Sequence, residues 1–363
     1  MNILKILFDF FIISFFKNRK KKLGTLIVKL DGLGDTAILL NLLSNVKLIQ
    51  NQSPYYLVTR KEFKPLYQKL KIFKQVYGID FKKFNSNFFY RFKIYISINK
   101  LSIKTSINPI YSNIVNSVND LIIYSTKSKN KIIGETYKSK SITGVIIRSF
   151  KESIYSKRIK NLSPKVVHEY NFIKKTLKGF IEFQKKPQSN IFGFKNKYIE
   201  LNNYIVIAPG SNNKVKNWPI EKYKSLILLL TKKKINVVLV GSNEDGNSFK
   251  DVENKFFYNF CGKTDIDQLF DIILNSDFAI ANDSSIVHIS ELLKVNYIAI
   301  IWKVFYGRYL PYIKKSSHKQ IIISNFKNCN CSYEICDEYS GSAKCLKQIK
   351  VSHVFEQLVK NIK

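Results

Sequence analysis

Residues 278–301 read FAIANDSSIVHISELLKVNYIAII, and their rhythm decides the fold class. Phe278–Ala281 is an apolar run of strand length, Ser284–Leu293 has helical spacing, and Tyr297–Ile301 is a second apolar run. Strands that show no polar alternation are buried on both faces, as in a parallel sheet wrapped by helices. Working upstream, the same cycle recurs. Strand Tyr204–Ala208, helix Ile220–Lys232, strand Ile235–Val240, a helix after Gly241, a short strand near Phe257 and helix Asp265–Asn275 follow one another. That alternation predicts an α/β domain over residues 198–363, ending in a cysteine-containing tail.

The front of the chain repeats the pattern less clearly. Thr25–Leu30 reads as a buried first strand and Thr36 to Leu48 as a helix, followed by a strand at Tyr55–Thr59. Tyr95–Ile98, Leu121–Tyr124 and Lys131–Gly134 are weaker strand candidates, and His168–Leu177 is helical. Residues 181–200 are polar, with Pro187 and Gly193, and suit a linker. The length of 363 residues fits two domains. The economical expectation is two Rossmann-like, doubly wound parallel sheets, the first over residues 23–185, facing each other across a cleft.

Residues 1–22, MNILKILFDFFIISFFKNRKKK, stand apart. The apolar stretch Ile3–Phe16 is shorter than the ~20 residues a spanning helix needs, and Asp9 interrupts it. No small-residue cleavage site marks it as a secretory signal. With cations from Lys17 to Lys22, it suits lying at the inner face of an anionic membrane. Packing onto the protein body is the alternative.

Composition is that of a folded protein, 45% hydrophobic and 14% aromatic, with a net charge of +34. Such charge draws phosphorylated or membrane-held partners. It is almost all Lys, spread along the chain, and no zinc finger, RNP-type motif or basic zipper accompanies it. Nucleic acid is therefore not the expected partner.

Ligand loops of parallel sheets lie at the carboxyl ends of the strands. Three have suitable chemistry. In Asp31-Gly32-Leu33-Gly34-Asp35, glycines allow close backbone approach. Asp35, at a helix start, suits a general base for a sugar hydroxyl, a plain N-cap being the competing reading. Gly32, Gly34 and Ala37 also fit a dinucleotide fingerprint, but its distal acidic residue is missing near Ser53. In the second loop, Gly210 and Ser211 form a glycine turn, and Lys216 offers a positive charge to a phosphate leaving group. In the third, Asn282-Asp283-Ser284-Ser285 opens a helix whose free amides and Ser hydroxyls suit an anion. Asp283 can accept from sugar hydroxyls or act as another N-cap. His288, one turn in, is expected to bond locally.

The order of VKLDGLGDTAILL (28–40), IAPGSNNKVKNWPIEKY (207–223), VVLVGSNED (237–245) and FCGKTDIDQLFDIILNSDFAIANDSSIVHISELL (260–293), with the cysteine tail, resembles glycosyltransferase family 9. This is the bacterial ADP-heptose:lipopolysaccharide heptosyltransferase family. The resemblance covers about residues 24–350 and is strongest from 204 to 302. It implies a GT-B architecture, with residues 23–185 binding the acceptor and residues 198–363 the nucleotide-sugar. It also implies metal-independent transfer, without cofactor, that inverts the anomeric carbon. Asp35 corresponds to the family's catalytic base and Lys216 to the lysine that stabilises the donor diphosphate. Asp283 corresponds to the aspartate on the donor sugar, and Ser284 and Ser285 to the phosphate loop. Gly34, Gly210, Ser211 and His288 join them as donor-binding candidates, and Glu244 corresponds to the acid that holds ribose.

The chain departs from the pattern at two points. Ser285 stands where the family has Gly, which limits backbone approach to phosphate. Asp31 stands where many members have a small polar residue, and its carboxylate can act on Asp35 if the two meet. Cys329, Cys331, Cys336 and Cys345 can be read as a zinc site, but the spacing lacks paired C-x2-C, and the resemblance implies no metal.

The expected function is transfer of a sugar, heptose from ADP-heptose, to a lipopolysaccharide core or related lipid-linked glycan at the inner face of the cytoplasmic membrane. The alternative is a non-catalytic nucleotide-sugar-binding protein of surface-glycan assembly.

Overall fold

The computed structural model describes residues 3–17, 23–44, 54–110, 117–134, 153–159, 168–178, 180, 192, 198–312, 317–325 and 341–362. Contacts divide the chain into two units. One comprises Met1–Gly32 and Leu42–Gly193; the other comprises Leu33–Asn41 and Phe194–Lys363. Each carries a six-stranded parallel sheet.

In the first unit, the strands are β1 (Gly24–Lys29), β2 (Tyr55–Arg60), β3 (Gln75–Ile79), β4 (Ile103–Asn108), β5 (Asn130–Gly134) and β6 (Lys157–Ile159), in spatial order 3-2-1-4-5-6. The order reverses beside β1, and that is the place where doubly wound sheets bind ligands. Every residue of β1 is buried, which is why it shows no polar alternation in sequence. Lys29, at the end of β1, is buried and pairs with Asp31 at 2.8 Å. Asp31 is thereby committed to neutralising a strand-end cation.

Two expected strands are helices. Tyr95–Ile98 lies within helix Phe88–Asn99, where Arg91, Tyr95 and Ile98 form the buried face at helical spacing. Asn87 caps that helix, its Oδ1 accepting from the Tyr90 amide at 2.9 Å. Leu121–Tyr124 lies within helix Ser117–Ser125, where Leu121, Ile122 and Ile123 are all buried. A helix buried on most sides shows no polar face in sequence. The strands that do form, Gln75–Ile79 and Ile103–Asn108, are interrupted by polar residues and Gly78.

In the second unit, β7 (Tyr204–Ala208), β8 (Asn236–Leu239), β9 (Phe257–Asn259), β10 (Phe278–Asn282), β11 (Tyr297–Ile300) and β12 (Gln320–Ile323) lie in the order 12-11-10-7-8-9. The expected elements of this half form. Trp218, Tyr223, Leu226, Ile227 and Leu230 line a core with β7, β8 and β10. Cys345 joins this core, whereas Cys329, Cys331 and Cys336, and most of the expected linker at 181–200, lie outside the described residues.

The first helix, α1 (Ile3–Ser14), is docked on the first unit. Ile6 and Ile13 enter its core, and Phe10 stacks on Tyr124 with ring centres 4.3 Å apart. Asp9, the residue that interrupts the apolar run, is buried. It accepts a fork of hydrogen bonds from Arg91 at 2.7 and 3.2 Å, and a third from the Tyr95 hydroxyl at 2.9 Å. Burial and the neighbouring Asp9 carboxylate hold the Tyr95 hydroxyl well above its ordinary pKa, so it stays a donor. No helix among the described residues is long and apolar enough to cross a membrane.

Removing one partner of a buried pair strands the other charge. Asp9→Ala is therefore expected to lower unfolding free energy by about 3–5 kcal/mol in urea denaturation. Asp9→Leu combined with Arg91→Met is expected to recover most of it, because an apolar pair strands no charge.

Candidate functional site

The second unit gathers four chain segments around the carboxyl ends of β10 and β7: the start of α2 (Leu33–Ser44), the loop 209–218, the start of α11 (Ser285–Leu293) and the loop 302–312 that follows β11. Between the second and third of these segments run α8 (Ile220–Lys232), α9 (Asn243–Asn247) and α10 (Ile266–Leu274).

Asn282 organises the assembly. It is fully buried at the end of β10. Its amide donates to the Pro209 carbonyl at 2.6 Å. Its Oδ1 accepts from the Trp218 amide and from the Tyr223 hydroxyl, both at 2.9 Å. Burial pushes the Tyr223 pKa upward, which keeps that hydroxyl protonated as a donor. One side chain therefore ties both ends of the 209–218 loop to β10. The sequence reading gave Asn282 no role.

Held this way, the loop brings Lys216 to Asp283. Nζ and Oδ2 are 3.0 Å apart, with Asp283 buried and Lys216 largely so. The ammonium also lies 3.9 Å from the centre of the Phe305 ring and 5.6 Å from that of Tyr309. Such placement over aromatic faces attracts a cation further. Lys216 is thus set apart from the chain's many lysines. The aromatic loop around it was missed in the sequence, although WKVFYGRYLPY (302–312) follows a buried strand and so stood where ligand loops are found.

The helix start differs from the N-cap expectation for Asp283. Helix α11 begins at Ser285, so Ser284 occupies the cap position, and its side chain makes no capping hydrogen bond. The Ser284 hydroxyl is buried and meets no partner in the protein. The first amides of a helix have no partner inside it. Together they form an unfilled set of donors beside the Lys216–Asp283 pair.

The N-cap reading of Asp35 also changes. Helix α2 begins at Leu33, which puts half-buried Asp35 in its first turn rather than ahead of it. Its neighbour Gly34 backs onto α11. A Cβ there would lie 3.2 Å from the His288 ring and 3.6 Å from Ser285 Cα. The glycine permits that approach. His288 is buried, with Nδ1 2.9 Å from the Tyr312 hydroxyl, which is the local bonding expected of it.

The remaining candidates take less direct places. The Ser211 hydroxyl oxygen lies 2.6 Å from Asn217 Oδ1 and 2.8 Å from the Asn213 carbonyl, so its one proton is shared within its own loop. Glu244 is exposed on α9. Its neighbour Asp245 reaches the loop instead: its carboxylate accepts from the Ser242 amide and hydroxyl, both at 2.8 Å. A Cβ on Gly210 would run into the Asp245 carboxylate. The missing side chain at Gly210 therefore makes room for a carboxylate of the protein itself. Cys261 has its thiol pushed up to about 12 by burial and the nearby Asp245, so it is not a nucleophile at neutral pH.

Gly210→Ala is expected to cost about 1–3 kcal/mol in urea denaturation, the range for overpacking. Placed on an Asp245→Ala background, the same change is expected to cost nothing further.

The fold agrees with that of known proteins. The family model described as glycosyltransferase family 9 (heptosyltransferase) matches residues 154–338, just over half of the chain. A family 9 glycosyl transferase from Veillonella parvula superposes with a TM-score of 0.72 at 16% identity, covering 95% of this chain and 98% of that one. Escherichia coli ADP-heptose lps heptosyltransferase II gives 0.67 at 16% identity, covering 94% and 98%. Escherichia coli heptosyltransferase WaaC with ADP gives 0.62 at 14% identity, covering 93% and 98%. At these identities the likeness is one of fold, and the fold is GT-B. No curated protein matches the chain by sequence.

Proposed function

Because the chain belongs to glycosyltransferase family 9 and is a glycosyltransferase, we propose that it moves heptose from ADP-heptose to a lipopolysaccharide core or related lipid-linked glycan, with inversion and without a metal. Asp35 takes the proton from the acceptor hydroxyl as that oxygen attacks the anomeric carbon. The bond from that carbon to the diphosphate breaks, and the pair of electrons leaves with the nucleoside diphosphate. Lys216 and the amides that open α11 stabilise the departing charge. Asp283 orients the sugar.

The single observation that carries this reading is the 3.0 Å approach of Lys216 to Asp283 beside the Ser284 hydroxyl. A cation, a carboxylate and an unsatisfied donor at a helix start are the groups needed for a diphosphate joined to a hydroxylated sugar. The donor identity is supported by two structures of similar fold, Escherichia coli heptosyltransferase WaaC with ADP and with ADP-2-deoxy-2-fluoro heptose. Ser285 is compatible with the reading because it opens the helix, leaving its own amide among the unpaired donors. A basic, apolar-faced N-terminus supports work at the inner face of the cytoplasmic membrane, where such an acceptor is held.

Asp35→Ala is expected to fold normally and to lose at least ~100-fold in kcat, the scale of a general base. Mass spectrometry of product from a panel of nucleotide-sugars with extracted core acceptor reads this out. Near-full turnover in the variant would remove Asp35 from the mechanism, and product from a different nucleotide-sugar would replace the donor. Lys216→Ala is expected to weaken ADP binding by roughly tenfold or more in isothermal titration, as befits a lost charge-assisted contact. Equal ADP affinity would dismiss its role at the diphosphate.

A further inference from the structure

Helix α1 has two apolar faces, one buried and one exposed. Ile6, Asp9 and Ile13 point into the first unit. Leu4, Leu7, Phe8, Phe11 and Phe15 remain 51–72% exposed. These five follow i, i+3, i+4, i+7 and i+11 spacing and so form one stripe along the helix and the turn that ends it. Phe89, on the neighbouring helix α5 (Phe88–Asn99), is 79% exposed and extends the apolar surface beyond α1. Phe88, next to it, meets the Phe8 ring at 5.5 Å, which joins the two helices at this surface. Most of the large exposed apolar side chains among the described residues lie here.

The exposed charges that the two helices carry share one sign. Lys5 and Lys17 are exposed on and just after α1, and Lys93 stands one turn from Phe89 on the same face of α5. The sequence beyond Lys17 continues with Arg19 and Lys20–Lys22. The one carboxylate of α1, Asp9, is buried and neutralised by Arg91. No acidic side chain of α1 or α5 therefore opposes an anionic surface. A second copy of the chain is a poor occupant, because two such rims would meet lysine to lysine in a protein of net charge +34. Phe and Leu ringed by Lys is the composition of segments that sit at the headgroup boundary of anionic lipid.

We infer that α1 and α5 together form a prebuilt docking plane for an anionic lipid surface, held rigid by the Asp9–Arg91–Tyr95 bonds. This rests on the membrane part of the reading above and deepens it. The anchor is a face of the folded first unit rather than a detachable N-terminal tail, and Phe89, distant in sequence, belongs to it.

Co-sedimentation of the full chain with vesicles tests this. Binding is expected to phosphatidylethanolamine:phosphatidylglycerol vesicles (7:3) and to weaken as NaCl rises from 0.1 to 0.5 M, with little binding to pure phosphatidylcholine. Phe11→Gln with Phe15→Gln is expected to reduce partitioning at least ~10-fold, and Phe89→Gln alone by roughly 3- to 10-fold, the scale of one apolar anchor. Absent binding to the anionic vesicles would overturn the inference. So would a Phe89→Gln variant that binds like the wild type, since a tail anchor alone would then suffice. A dimer in sedimentation velocity that the Phe11/Phe15 variant dissociates, without vesicle binding, would assign the face to a second copy and likewise overturn it. The thermal shift given by ADP is measured on the same proteins and is expected to be equal in all. Its absence from the wild type would count against the transferase reading and leave the vesicle result standing.

Discussion

A carboxamide buried at the end of β10 holds the site of the second unit together. Asn282 makes one strong donation and accepts two hydrogen bonds, and each bond fastens a different part of the 209–223 segment. An amide can do this because it carries donor and acceptor on one rigid plane. A carboxylate would have to accept at every contact, and the Pro209 carbonyl would then face it unpaired. Lys216 reaches Asp283 because the loop that bears it has been tied down at both ends. The ion pair, the aromatic rings beside it and the unfilled helix start are consequences of that tie.

Buried charges are handled in two ways. In the first, buried charges are closed off in pairs: Lys29 with Asp31, and Arg91 with Asp9. In the second, Lys216 keeps a fraction of its surface exposed while its partner is buried, and the neighbouring hydroxyl lacks a partner. What sets Asp283 apart from Asp31 is its surroundings: the Phe305 and Tyr309 rings lie against its lysine, and the Ser284 hydroxyl follows it at the helix start.

The second sheet was legible because its strands are continuous apolar runs and its helices are amphipathic, as in Ile220–Lys232 with a buried face from Tyr223 to Leu230. The first half was harder for two reasons. Ser117–Ser125 is buried on most sides, so its helical period does not show. Ile103–Asn108 packs Thr105, Ser106 and Asn108 inward, where hydrogen bonds to other chain segments make polar burial possible. Those bonds are long-range and leave no local trace. The same holds at the site. Lys216 and Asp283 could be picked out from their loops. Their contact, the Gly210–Asp245 fit and the Phe305–Tyr309 faces depend on residues brought together only by folding.

The Asp9 fork also bears on how the protein can be handled. An apolar, lysine-flanked leader invites trimming to make a chain easier to produce. Here the leader supplies the counter-charge for a guanidinium sealed between helices. Cutting it away would uncover Ile6 and Ile13 contacts and leave that guanidinium facing a void. Solubility gained at the surface would be returned as instability within, so the segment is better softened residue by residue on its outer side than removed.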